Sequence, residues 1–174
     1  MRSGKLKGSA AVDVVIGAAI IIFILLPVFS VAVEKYIVML KVQVIKDAVD
    51  LTNIATYNAI DAGYLGRCAV VPDKKEVLSI YRSILSKNLN LDENLSGKEG
   101  SAAEGMVIIE SLDIYTEELP LTCKNGTELK RPSVHSLVIV PVKPSLYRKA
   151  IMDRLQKESI FLKVHVDSDI PVNN

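Results

Sequence analysis

The first third of the chain carries two helical hydrophobic patterns that follow one another without a break. Residues 14–33 form a run of 20 residues without a charged side chain. A helix of that sequence is apolar on every side, and its length matches the hydrocarbon core of a membrane. From residue 34 to residue 62 apolar residues recur at spacings of three and four, which predicts an amphipathic helix that stops near Gly63. Together the patterns predict one helical rod of about 50 residues.

The apolar run predicts a retained membrane span rather than a cleaved signal peptide. It is long for the apolar part of a signal peptide, and no cleavage site of small residues precedes a polar mature start. Arg2, Lys5 and Lys7 precede the run. The positive-inside rule therefore places this short N-terminus in the cytoplasm and the chain beyond about residue 35 outside it. Pro27 removes one backbone donor inside the run and predicts a kink there.

The remaining patterns predict a small domain over residues 63–174. Helical spacing after Pro72 predicts a second helix over residues 73–88. The polar, glycine-containing stretch 92–105 predicts a mobile loop. A third helical pattern covers residues 147–158.

Three segments of this domain carry strand patterns. Residues 106–115 and 134–142 are rich in β-branched side chains, and residues 160–166 alternate apolar and polar side chains. An Asn-Gly pair between the first two segments predicts a hairpin turn, and Pro141 restricts the second strand to an edge position or a late bulge. The predicted fold class is α+β: a long N-terminal helix, transmembrane and then amphipathic, with a small antiparallel sheet domain and two short helices.

Charge and motifs narrow the classes of function. The formal net charge is +1, whereas a nucleic-acid partner requires a basic face that neutralises phosphates. The sequence has no glycine-rich phosphate loop, nucleophile elbow or His-Glu-x-x-His motif. His135 and His165 lie in predicted strands with no Cys, Asp or Glu at metal-ligand spacing, so they are expected to be structural. Asp167 and Asp169 could in principle bind a cation, but two carboxylates on a terminal strand are expected to be solubilising. We therefore expect no enzyme, no catalytic or metal site, no cofactor and no nucleic-acid partner.

The two cysteines, Cys68 and Cys123, lie far apart in sequence and outside the apolar run. Their separation does not fit a paired metal-binding motif. An extracytoplasmic location permits a disulfide between them, and two buried free thiols are the alternative.

The residues just before the apolar run carry a family resemblance. They read Lys7-Gly8-Ser9-Ala10-Ala11-Val12-Asp13. This segment resembles the basic-Gly-Ala-Ala-Val-Glu start of the TadE-like minor pilins of tight-adherence (Tad) secretion systems, and residues 43–52 are similar to the helix that follows the span in that family. The likeness covers residues 5–62. Family members usually have Glu at the position of Asp13 and a proline earlier in the run than Pro27.

The resemblance implies proteolytic processing and assembly. A prepilin peptidase would cut after Gly8, so that Ser9 becomes the mature N-terminus and Asp13 the fifth mature residue. In that family the acid pairs with the free amino terminus of an adjacent subunit. The implied partners are the membrane, the peptidase and other pilin subunits. The implied divisions are a basic leader (1–8), a transmembrane and continuing amphipathic helix (9–62) and an extracytoplasmic domain (63–174).

An alternative without processing remains open. Asp13 can be the N-cap of an uncleaved membrane helix, a position that Asp favours. The chain would then be a single-pass, signal-anchored interaction protein, such as a surface adhesin or an accessory component of a conjugation or sporulation complex. The N-terminus of the mature protein, Ser9 or Met1, distinguishes the two hypotheses.

Overall fold

The computed structural model describes residues 7–65, 73–116, 119–143 and 160–170. Contacts between residues divide the chain into an N-terminal unit, Met1–Leu40, and a C-terminal unit, Lys41–Asn174. The helix predicted over residues 147–158 lies outside the described residues, as does Cys68.

The first described stretch is helical throughout. α1 (Lys7–Ile20), a π-helical turn (Ile21–Leu25) and α2 (Leu26–Leu65) follow one another without an intervening loop. The prediction of one long N-terminal helix is confirmed. The helix continues to Leu65 and does not stop at Gly63.

The π-helical turn lies directly before Pro27 and has a local cause. The Leu26 N–H donates to the Ile21 carbonyl, which is five residues earlier. Pro27 has no N–H, and in a regular α-helix its ring clashes with the carbonyl of Phe23, four residues before it. A single widened turn relieves such a clash, and membrane helices accommodate proline by adjustments of this kind. The structure thus shows a widened turn just before Pro27, and the kink predicted there stays a prediction.

The second predicted helix is confirmed as α3 (Lys74–Asn88). Asp73 is its N-cap, and the Asp73 side chain accepts a hydrogen bond from the Lys75 N–H at 3.3 Å. This bond satisfies one of the amide groups that have no partner within the first turn of a helix. Tyr81 and Leu85 lie one turn apart on its buried face.

The C-terminal unit contains a three-stranded antiparallel sheet and a small hairpin. The sheet has the order β1–β4–β5, and the hairpin pairs β2 with β3. The predicted strands are confirmed, but the Asn-Gly pair turns the small hairpin and does not join β1 directly to β4; Gly126 has a φ of 87° there. The strands are β1 (Ile108–Tyr115), β2 (Leu121–Thr122), β3 (Glu128–Leu129), β4 (Ser133–Val142) and β5 (Ile160–Asp169).

β4 is the central strand of the sheet, so the expectation that Pro141 confines it to an edge is wrong. Pro141 pairs with Phe161 of β5. On its other side β1 has already ended, since Ile108 is opposite Ile139. There the Pro141 carbonyl accepts a hydrogen bond from the Glu104 N–H at 2.8 Å. The N–H and C=O of one residue point to the same side of an antiparallel strand. Because the Pro141 carbonyl points away from β5, an N–H at this position would point away from β5 too, and its absence removes no hydrogen bond between β4 and β5.

The stretch 92–105 is a compact, hydrogen-bonded loop rather than the mobile loop that its composition predicts. Asp92 accepts a hydrogen bond from the Ser96 N–H at 2.8 Å. Leu95 and Ala103 are buried in the core of the C-terminal unit. Short polar turns and buried apolar residues alternate within this stretch, and the composition reports only the turns.

The core of the C-terminal unit lies on one face of the sheet. Even-numbered residues of β4 and β5, such as Val138 and Val164, are buried in one cluster with Ile45 of α2 and Leu85 of α3. Successive side chains of a strand point to opposite faces. The odd-numbered residues of β4 and β5 therefore face away from this core.

Candidate functional site

The N-terminal unit exposes apolar side chains around the whole helix. The large apolar side chains between residues 12 and 33 are accessible, and Phe23 is 77% exposed. Each such side chain would gain about 1.5–3 kcal/mol by leaving water. Of the helices that the structure describes, Val12–Ile60 is the one long and apolar enough to cross a membrane. The helix is therefore compatible with a membrane anchor.

The predicted processing and assembly residues lie at the start of α1. Gly8 and Ser9 are in its first turn, and Asp13 is its seventh residue, with an exposed side chain. Asp13 therefore does not cap the helix as it stands here, which removes the N-cap explanation of this carboxylate. Cleavage after Gly8 and pairing of Asp13 stay predictions.

A second candidate site lies on the sheet face that points away from the core. His135 of β4 stands directly opposite Asp167 of β5. His165 precedes Asp167 by two residues, so both side chains lie on the same face of β5. Cys123 comes from the turn of the β2–β3 hairpin. These four residues are called the Cys–His–Asp cluster.

Asp167 links the two imidazoles of the Cys–His–Asp cluster. Its Oδ1 lies 2.7 Å from His135 Nδ1, and its Oδ2 lies 3.0 Å from His165 Nε2. Those two ring nitrogens are 3.1 Å apart. The Cys123 Sγ lies 3.7 Å from Asp167 Oδ2 and 4.0 Å from His165 Nε2. One donor atom from each of the four residues lies within 4.8 Å of all the others.

The Cys–His–Asp cluster is largely buried. The side chain of His135 is fully buried, that of Asp167 is 11% exposed and that of His165 is 27% exposed. Cys123 is buried and forms no disulfide with any residue that the structure describes. The Nε2 of His135 has no hydrogen-bond partner within the described part of the chain. Side chains of these types are seldom buried together unless they hold one another or a ligand.

Residues of β1 and the hairpin enclose the cluster on the side away from β5. The Tyr115 ring meets His135 edge-on, with 6.1 Å between ring centroids. Asp113, opposite His135 in the sheet, accepts a hydrogen bond from Lys124 Nζ at 2.7 Å. This bond raises the pKa of Lys124. Burial, followed by the nearby Asp113 carboxylate, raises the pKa of Tyr115. The ion pair fastens the hairpin to β1 beside Cys123.

An open cleft of about 420 Å³ gives access to the cluster at β5. His165 and Asp167 line the cleft together with Lys46, Asp47, Asp50, Thr127 and Val166. His165 and Asp167 are the two members of the cluster whose side chains are partly exposed, and both face this opening. Water and small ions can approach the cluster from this side.

The geometry favours ligand binding over nucleophilic catalysis. In a cysteine–histidine–aspartate triad the thiol and the carboxylate contact opposite nitrogens of one imidazole. Here Cys123 and Asp167 both face Nε2 of His165. Donor atoms that converge on one point, instead of forming a relay, are typical of metal ligands.

Only two of the four residues of the cluster could be grouped from the sequence. The pattern His165-x-Asp167 places two ligand-type side chains on one face of a strand, and the two-residue period of a strand is the signal in the sequence that pairs them. His135 joins them only through the register of β4 with β5, and Cys123 only through the docking of the hairpin. Asp169 is exposed, as expected. For Asp167 the sequence predicts the same solubilising role, and this prediction is wrong: Asp167 is a central member of the cluster.

The disulfide between Cys68 and Cys123 stays a prediction, because Cys68 lies outside the described residues. Likewise, the resemblance to TadE-like pilins stays a prediction that depends on the N-terminal residues. In comparisons with known proteins, no family model, curated protein or solved structure matches this chain.

Proposed function

We propose that this chain is a membrane-anchored, pilin-like subunit that assembles into, or supports, a Tad-type surface filament or secretion apparatus. The observation that carries the proposal is the placement of Asp13, five residues after Gly8 and directly before a helix that is apolar on all sides. A carboxylate at the edge of a hydrocarbon core is costly unless it finds a partner. A simple anchor has no need of it, whereas an assembling helix does.

Assembly would move the N-terminal helix from lipid into a bundle of equivalent helices. Both environments are apolar, so little hydrophobic free energy opposes the transfer. The carboxylate of Asp13 then selects the register, because its burial is relieved only beside a positive group. Cleavage after Gly8 creates such a group, the α-amino group of Ser9, on every subunit.

The charge pattern supports an orientation for this subunit. Arg2, Lys5 and Lys7 keep the short N-terminal segment in the cytoplasm, where a prepilin peptidase acts. The C-terminal unit would then lie outside the cytoplasm and present its sheet and loops to the surface. A role as a minor rather than a major subunit fits the length of the chain, since the major subunits of Tad filaments are typically much shorter.

Mass spectrometry of the mature natural protein tests the processing step. We expect a first residue of Ser9, and we expect Gly8→Val to leave the leader attached. Gly4→Val changes the other glycine of the same leader and should leave processing unchanged. An intact Met1 on every molecule of the unmodified protein would contradict processing and would favour the uncleaved, anchored interaction protein.

Substitution of Asp13 tests the assembly step. Breaking a buried charge pair costs about 3–5 kcal/mol, so we expect Asp13→Ala to lower incorporation at least about 100-fold while the protein stays in the membrane fraction. Asp13→Glu, which restores the acid usual in the family, should retain incorporation. Asp47→Ala removes an exposed carboxylate from α2 and serves as the matched control. Normal incorporation of Asp13→Ala into sheared filaments or cross-linked complexes would rule out the assembly role.

A further inference from the structure

The Cys–His–Asp cluster belongs entirely to the C-terminal unit and has a ligand chemistry of its own. We infer that Cys123, His135, His165 and Asp167 form a structural Zn²⁺ site. The inference is independent of the proposed function, because none of the four residues is needed for anchoring, processing or helix assembly.

The separations between the donor atoms fit a tetrahedral ion. Zn–N and Zn–O distances of about 2.0–2.1 Å and a Zn–S distance of about 2.3 Å give tetrahedral edges of about 3.3–3.6 Å, the longest being those that include the sulfur. The two ring nitrogens are 3.1 Å apart, and the Asp167 oxygens lie 2.7 and 3.0 Å from them. The Cys123 Sγ is 3.7 Å from Asp167 Oδ2 and 4.0 Å from His165 Nε2, and all four donor atoms lie within 4.8 Å of one another. An ion at the centre requires the two ring nitrogens and the Asp167 oxygen to move slightly apart and the sulfur to move inward.

Protons alone do not satisfy this arrangement well. For His135 Nδ1 and His165 Nε2 each to bond the Asp167 carboxylate, each nitrogen must carry a hydrogen. The two donor nitrogens would then lie 3.1 Å apart without a hydrogen bond between them, a distance at which their positive N–H groups repel. A cation that accepts the lone pairs of both nitrogens and of the carboxylate removes the conflict.

The donor set selects the kind of ion. A thiolate and two imidazoles suit Zn²⁺ and related transition metals, whereas Ca²⁺ and Mg²⁺ bind sets made of oxygen atoms. The thiolate of Cys123 and the carboxylate of Asp167 together carry two negative charges. A divalent ion neutralises them, so the buried site carries no net charge.

Four protein ligands complete a tetrahedron and leave no open position for a substrate, which is the mark of a structural zinc site. Such a site would hold the β2–β3 hairpin, through Cys123, against β4 and β5. A hairpin with strands of two residues has little stability of its own. The metal thereby adds a strong long-range link to the ion pair between Lys124 and Asp113.

Zinc ligation and a disulfide at Cys123 exclude each other. The site needs the thiol of Cys123 in its free form, and Cys123 forms no disulfide within the described part of the chain. The cleft beside His165 and Asp167 provides the route by which an ion enters. The test is therefore made on reduced protein with Zn²⁺ alone as the probe.

Metal binding can be measured on the full-length protein in detergent micelles, reduced and stripped by a chelator. Calorimetric titration with Zn²⁺ should give one ion per chain. Titration with Co²⁺ should give the strong visible absorption of a tetrahedral ion and a thiolate-to-metal charge-transfer band in the near ultraviolet.

Variants assign the ligands. Cys123→Ser should abolish the charge-transfer band, and both it and His165→Gln should weaken Zn²⁺ binding by more than about tenfold, since even outer-shell changes reach that size. Asp169→Asn removes the next carboxylate on the same face of β5 and should bind as the unmodified protein does. His165 is partly exposed, so His165→Gln should fold even if the change at buried Cys123 does not; circular dichroism checks this.

Two results would overturn the inference. One is an unmodified, reduced protein that binds no more Zn²⁺ than His165→Gln does. The other is bound Co²⁺ without a thiolate band, which would remove Cys123 from the ligand set and leave an adventitious ion at the surface.

Discussion

The two units of this protein use apolar residues in opposite ways. In the N-terminal unit the large apolar side chains lie on the outside of a helix, and Leu25 is 56% exposed. In the C-terminal unit they form a core beneath a sheet, and Leu85 of α3 is fully buried. Both units are rich in Ile, Leu and Val. The difference lies in the spacing of these residues, which is continuous in one unit and periodic in the other.

This difference in spacing indicates where the apolar side chains of each unit find apolar surroundings. A helix that is apolar on all sides gains its free energy from lipid or from other helices, which the chain itself does not supply. The sheet and α3 supply their own apolar surroundings. We therefore expect a substitution in the N-terminal unit to alter location and assembly, and a substitution in the C-terminal core to alter the free energy of unfolding.

The largest expected effect comes from truncating the core. Leu85→Ala removes a fully buried side chain and should lower the free energy of unfolding of the C-terminal unit by about 2–5 kcal/mol. Leu25→Ala makes the same change at an exposed position of the N-terminal unit and should leave that free energy nearly unchanged. Urea unfolding in detergent micelles, followed by near-ultraviolet circular dichroism of the tyrosines, measures both. Equal losses for the two variants would refute the division of roles.

The next effect concerns membrane insertion. Ile24→Lys places a charge within the apolar run and should oppose insertion by about 3 kcal/mol, so the share of protein that resists alkaline extraction from membranes should fall. Ile108→Lys places the same charge at a half-exposed position of β1. That control should stay in the membrane fraction. Unchanged retention of the Ile24 variant would show that this segment does not lie in lipid.

The same contrast explains what the sequence could predict. Patterns that repeat within one element are confirmed: the apolar helix, the α3 helix and the alternating strand β5. Local hydrogen bonding and side-chain periodicity determine these features, and both depend on residues that are close in sequence.

Features that depend on distant partners could not be predicted. Pro141 lies in a central strand because β1 ends before it, a fact of register that no local pattern contains. The Cys–His–Asp cluster depends on the pairing of His135 with Asp167 and on a hairpin that docks over both. For Asp13 the sequence predicts the position of the carboxylate, but the structure of one chain cannot contain its partner, because in the proposed assembly that partner belongs to another molecule.

The smallest effect is a pH dependence confined to the core. Burial raises the pKa of Tyr81 to about 12, and the nearby Ser136 hydroxyl opposes the rise. Neither hydroxyl has a hydrogen-bond partner of normal geometry within the described part of the chain. A tyrosine of the unfolded chain has a pKa of about 10. Above that pH the unfolded chain releases a proton that the folded protein still holds.

The sign of the effect follows from this difference. The unfolded state binds fewer protons than the folded state between pH 10 and pH 12, so the free energy of unfolding falls as the pH rises through this interval. Below pH 10 the contribution is complete. Near pH 11 the loss should be about 1 kcal/mol. Tyr81→Phe cannot lose this proton, and its free energy of unfolding should decline less between pH 8 and pH 11 than that of the unmodified protein.

An exposed tyrosine of the N-terminal unit provides the control. Tyr36→Phe removes a hydroxyl that the C-terminal core does not enclose, so its decline should match that of the unmodified protein. At pH 8 Tyr81→Phe should be at least as stable as the unmodified protein, since it removes a buried hydroxyl that has no hydrogen-bond partner of normal geometry among the described residues. A decline in Tyr81→Phe equal to that of Tyr36→Phe would mean that water reaches Tyr81, and that the core is less closed to solvent than its burial indicates.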